Sequence, residues 1–231
     1  MSYNIPANGL FWDGKLTVPI HASRVLWWIS MDRTRRWVHT WAAMPMLAEP
    51  DKLPPKAFVS TSWRDMKARQ ELTQVVQPHQ TRDTLAFPNT TIRQTVKVTL
   101  GTGQYFRLRL SNVFGMDDLM VNQITVALAH NNKSGSSKIQ VNTLQSVTFD
   151  DGQKSTTIVD GAQAVSDPID FGFPLLANTV LSISLFFEKG QDGQTGITLH
   201  PGSRTTSFCS LGNCVSEPDL TDPSVEEVEH W

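Results

Sequence analysis

A serine, a histidine and a carboxylate brought together would make an acyl-transfer centre. His39, His79, His130, His200 and His230 each stand apart from any serine or acid at a recognised spacing. There is no Gly-x-Ser-x-Gly elbow and no Gly-Asp-Ser block. Cys209 and Cys214 bracket Ser-Leu-Gly-Asn, so they could close a small disulfide in an oxidising compartment or stand as two buried thiols. A zinc site would need two further ligands nearby, and none appear, so no metal is expected. Glu227-Val228-Glu229-His230 resembles half of a metal motif but has no second histidine. No glycine-rich phosphate loop is present, and no cofactor is expected. Asn89-Thr90-Thr91 and Asn132-Lys133-Ser134 are N-glycosylation sequons.

These residues must be held by a β-rich scaffold. The chain has 231 residues, of which 39% are hydrophobic and only 18% charged. That balance suits strands with polar outer faces rather than a coiled coil or a disordered chain. The net charge of −2 offers no basic field for a phosphate backbone, so nucleic acid is not an expected partner. No apolar run approaches the ~20 residues of a membrane span. Residues 1–20 lack the basic start and apolar stretch of a signal peptide.

Six tryptophans fall within the first 63 residues. Residues 1–36 show no clean period and read as a poorly ordered leader, or else as an arm packing its tryptophans on the domain. Trp37–Met44 reads as a short strand, and Pro45, Pro50, Pro54 and Pro55 then forbid regular structure. Residues 62–76 read as the one short helix, capped by Ser62 and ended by Pro78. From Asn89 onward strand follows strand. Thr91–Leu100 alternates, with Ile92, Val96 and Val98 set against Arg93, Gln94 and Lys97. Gln104–Val113 alternates again, and further strands are expected to about residue 209, with turns at Asp151-Gly152 and Asp160-Gly161. The expectation is an all-β, antiparallel, jelly-roll-like β-sandwich of eight or nine strands over residues 37–215. Residues 216–231 are acidic, without Lys or Arg, and read as a solvated linker.

Four segments occur in a familiar order: Trp37–Pro45 with Leu47–Pro55, Asn89–Val96, Phe106–Gly115 and His200–Ser207. The string Leu108-Arg-Leu-Ser-Asn-Val-Phe-Gly115 is the most specific. Together they resemble the N-terminal β-sandwich region of extracellular SGNH/GDSL-type esterases and lipases. The resemblance implies an extracellular location and a carboxylic-ester hydrolase as the whole protein. In that family a catalytic domain follows a join much like Val228-Glu-His-Trp231. The nucleophile, oxyanion and Asp-x-x-His blocks have no counterpart here, so no catalytic residue carries over and the chain alone is expected to be inactive.

The matched residues are candidates for binding or for contact with that catalytic domain: Trp41, Ser111, Asn112, His200, Arg204 and Thr206. Ser111, Asn112 and Gly115 would end a strand and turn it, with Gly115 at positive φ. Trp41 and Phe208 are expected on an exposed apolar docking patch, with Arg204 at its rim. The competing reading is a stand-alone carbohydrate-binding jelly roll, which would display exposed aromatics on one sheet.

Overall fold

Of the two alternating stretches in the sequence, Thr91–Leu100 supplies a central strand of the main sheet and Gln104–Val113 two short strands outside it. The computed structural model describes residues 37–48, 59–61, 84–101, 103–192, 196–200, 205–221 and 226–228. The strands in chain order are β1 (Met46–Leu47), β2 (Val59–Thr61), β3 (Thr84–Ala86), β4 (Thr90–Lys97), β5 (Tyr105–Phe106), β6 (Arg109–Ser111) and β7 (Leu119–Val121). There follow β8 (Gln123–Ala129), β9 (Ile139–Ser146), β10 (Thr156–Ile158), β11 (Gln163–Val165), β12 (Ile169–Asp170) and β13 (Val180–Phe187). The last are β14 (Gln191–Asp192), β15 (Thr198–Leu199), β16 (Ser207–Leu211) and β17 (Glu226–Val228). All of these lie in one compact unit, His39–Trp231; of the unit Met1–Val38 only Trp37 and Val38 are described, both exposed.

The protein is an all-β sandwich of antiparallel ladders. One layer is a six-stranded sheet in the order β17-β16-β4-β13-β8-β9. The other is a long ladder in three pieces, β5–β12, β6–β11 and β7–β10, running residues 105–121 against 170–156. Its register slips by one residue between the first two pieces and by three across the 112–118 loop, which divides expected strands into short ones. Phe106, Val121, Ile158 and Ile169 of this ladder share one core with Ile92, Val96, Ile124, Val126 and Leu181 of the sheet.

Paired residues of an antiparallel ladder share a face, and alternate residues face opposite ways. On the core face of the sheet, Ile124, Leu185, Ile92 and Cys209 form one row, and Leu128, Leu181 and Val96 form another. On the opposite face the rows read Thr125, Ser184, Arg93, Phe208 and Ala127, Ser182, Thr95. Arg93 was expected to point to solvent. It is instead fully buried, because residues 130–138 and 213–221 lie over that face.

Three other expectations need correction. Trp37–Met44 forms no strand; Thr40 clamps it to the end of β4 instead, donating from its hydroxyl to Leu100 O (2.8 Å) and accepting from Thr99 N (3.0 Å) at its carbonyl. Gly115 does not adopt positive φ. Glycine is needed there for space, since a Cβ would collide with the Asn112 side-chain amide. The segment read as a solvated linker begins as part of the domain. Leu220 is buried, Ile139 N donates to Pro218 O (2.9 Å), and Glu226–Val228 adds an edge strand to Ser207–Cys209. The expected leader at 1–36 and the expected helix at 62–76 lie outside the described residues.

Candidate functional site

Segments far apart in the sequence meet at one end of the sandwich. Here β15 pairs with β1, matching Met46 to Leu199 and Leu47 to Thr198. Phe114 N donates to Thr198 Oγ1 (3.1 Å), tying the 112–118 loop to the same strand. A Cβ on Gly196, at φ +74°, would fall 2.8 Å from Met116 Cγ, so only glycine lets this loop close against β15. Trp41 stands edge-on to His200, with ring centroids 5.5 Å apart and planes at 78°.

Beneath this end lies a cavity of about 170 Å³ between the two layers. Its walls are apolar, chiefly Phe87, Ile92, Leu110, Ile158, Leu185 and Phe187. Its polar lining is Gln94, Ser111, Gln191, Thr198 and His200. His200 Nε2 is 3.4 Å from Gln94 Oε1. Gln191 donates to Gly196 O at 3.0 Å and so is held in place. Burial pushes the His200 imidazole below its ordinary pKa, which keeps it neutral at pH 7.

The structure separates the residues singled out in the sequence. Trp41, Ser111 and His200 gather at the cavity. Asn112 lies beside it but is fully buried: its Nδ2 donates to Asp117 O (2.9 Å) and Ile158 O (3.0 Å), pinning the loop after β6. Thr206 is half-buried and sits elsewhere, where its backbone N approaches Gly135 in the segment over the polar face. Arg204 lies outside the described residues. Phe208 is buried beside Arg93 on the polar face of the sheet, so it is not on an exposed patch.

Cys209 and Cys214 are not joined. Cys209 belongs to the core, whereas Cys214 Sγ accepts from Ser210 Oγ (3.6 Å). Ser210 follows Cys209 on the strand and points the opposite way, so the sheet itself stands between the two sulfurs. The two sequons differ as well. Asn89 is exposed in a tight turn at φ 48°. Asn132 uses both ends of its amide on the backbone, donating to Asn178 O (3.0 Å) and accepting from Val180 N (2.7 Å).

Gln94 and Thr198 went unnoticed in the sequence. Gln94 was assigned to the polar face, but in register it lies beside Ile183 and Val126 on the core face. A glutamine between Ile92 and Val96 is the only signal that could have shown it. Among the described residues no three His, Cys, Asp or Glu side chains converge as a metal site. The rim of the cavity carries exposed Trp41, Met46, Leu47, Val113, Phe114 and Met116. No protein-family model and no curated protein matches the chain.

Proposed function

We propose that this chain is the non-catalytic β-sandwich of an SGNH/GDSL-type ester hydrolase, and that its cavity end is the face a catalytic domain covers. The observation that carries the reading is convergence. The segments that carry the resemblance supply Trp41, Ile92 with Gln94, Leu110 with Ser111, and His200 to one end of the fold. Residues that serve only local turns and strands would have no reason to meet there. The rim supports contact with a protein: four of its six exposed residues are methionine, leucine or valine, side chains that pack in an interface but offer a sugar no stacking face. A secreted location and a jelly-roll strand order belong to the same proposal and rest on the resemblance.

The test is reconstitution. The chain is mixed with an SGNH/GDSL catalytic domain produced without its own sandwich, and the complex is measured by sedimentation. A one-to-one complex is expected, lost on Leu47→Asp or Phe114→Asp. The chain alone is expected to leave short-chain p-nitrophenyl esters at the buffer rate. Absence of any complex, or turnover by the chain alone that a serine-directed inhibitor abolishes, would overturn the proposal.

A further inference from the structure

The cavity itself has a definite chemistry, independent of what covers the rim. We infer that it binds a short, neutral aliphatic alcohol, with the chain between the layers and the hydroxyl at Gln94 and His200. Size comes first. An apolar cavity of roughly 150 Å³ lined by Leu, Ile and Phe stays dry and takes up a six-carbon guest such as benzene. This one is about 170 Å³ with apolar walls of the same kind, but it is open to solvent at its polar end. Water would find few partners along Ile92, Leu110, Ile158, Leu185 and Phe187, so an apolar chain displaces little that is well held.

Polarity then selects the head group. Gln94 and His200 offer amide and imidazole groups, able to donate to and accept from one hydroxyl. Among the described residues, none that lines it is Lys, Arg, Asp or Glu. A carboxylate or an ammonium group would therefore leave water without a counter-charge. The groups are also held ready. Gln94 lies in the central ladder of the sheet, and His200, directly after β15, faces it across 3.4 Å. Little ordering is then needed on binding.

The experiment is a titration of the whole chain with 1-hexanol, hexanoate and hexylamine at pH 7.5, followed by calorimetry. Saturable one-to-one binding of 1-hexanol is expected, at least tenfold tighter than either charged analogue. Across linear alcohols the affinity should rise from butanol to hexanol and fall by decanol, which exceeds the cavity. Leu110→Trp should weaken 1-hexanol at least tenfold by filling the space. If Leu110→Trp fails to fold, the chain-length series decides alone. No saturable binding, equal binding of hexanoate, or affinity that climbs steadily through decanol would overturn the inference.

Discussion

The two faces of the six-stranded sheet are both covered, by opposite means. The core face presents Ile124, Leu185, Ile92, Leu181 and Val96 to a ladder of further apolar residues. The other presents Thr125, Ser184, Arg93, Thr91 and Ser210, and each is buried. Shape and area hold the first, at roughly 25 cal/mol per Å² of apolar surface. Addressed hydrogen bonds hold the second. Arg93 donates from Nε to Ser184 Oγ (2.8 Å), from Nη1 to Ser137 O (2.6 Å), and from Nη2 to Glu217 O (2.9 Å) and Cys214 O (3.2 Å). Burial lowers its pKa to about 10, against the pull of the Asp219 and Glu217 charges, so it remains a cation at neutral pH. One side chain thus ties a central strand, a loop 44 residues away and a segment 121 residues away. An apolar face tolerates repacking, whereas a hydrogen-bonded face depends on single atoms.

The largest effect is therefore expected at Arg93. Arg93→Ala should cost about 4 kcal/mol in urea unfolding, because it leaves a void under the cover and takes the shared donor from three part-buried carbonyls. Arg93→Lys keeps the charge but not the planar fork, and should recover less than half of that. On the core face Leu181→Ala should cost about 3 kcal/mol, and Leu181→Met under about 1.5 kcal/mol. The contrast is sharpest if the conservative variant rescues Leu181 and fails at Arg93. Equal rescue at both would show that the polar face is held by packing after all.

Thr125→Val tests the same contrast at one atom. Thr125 Oγ1 donates to Val215 O at 2.6 Å, and both residues are buried. Valine keeps the shape and orphans the carbonyl, at a cost of about 1–2 kcal/mol. On the core face the comparable loss, Val126→Thr, should be no smaller, since it buries a hydroxyl without a partner. Hydrogen exchange at residues 213–221 should quicken in Thr125→Val alone.

The sequence carried the core face openly and the polar face hardly at all. Alternation marks which residues share a face but is silent on whether a later segment will cover it. Thr91, Arg93 and Thr95 therefore read as an outer face, as they would in a sandwich with one side wet. The cover comes from residues 130–138 and 213–221, whose polarity resembles that of any loop. Arg93 gave no signal, because its partners are mostly carbonyls and any residue can supply those. The candidate site was legible in part. Trp41, Ser111 and His200 were named from their segments, but Gln94 needed the register with Ile183 to be seen. Gly115 was recognised as a required glycine for the wrong reason, φ instead of the space taken by Asn112.

The smallest effect lies where the apolar face ends, at His200. Burial lowers its pKa in the folded protein, so the unfolded chain binds a proton that the folded chain resists. The stability His200 contributes as a neutral side chain is full above its unfolded value, roughly 6.5. It falls as the pH drops from there toward the folded value. Asp167 does not interfere in this window. Burial alone would raise its pKa, but the Thr148 hydroxyl, the N–H groups of Asp151 and Gly152 and the Arg107 charge hold it below 3.8, so its own contribution is lost only at lower pH. The urea midpoint of the whole chain should therefore decline between pH 7 and pH 5 by more than that of His200→Gln, with the two curves parallel above pH 7.5. The difference should be smaller than the loss in Thr125→Val, since the ring is only half-buried and can turn toward water. Parallel curves down to pH 5 would mean that protonated His200 is accommodated, and that the cavity mouth is wetter than its apolar walls suggest.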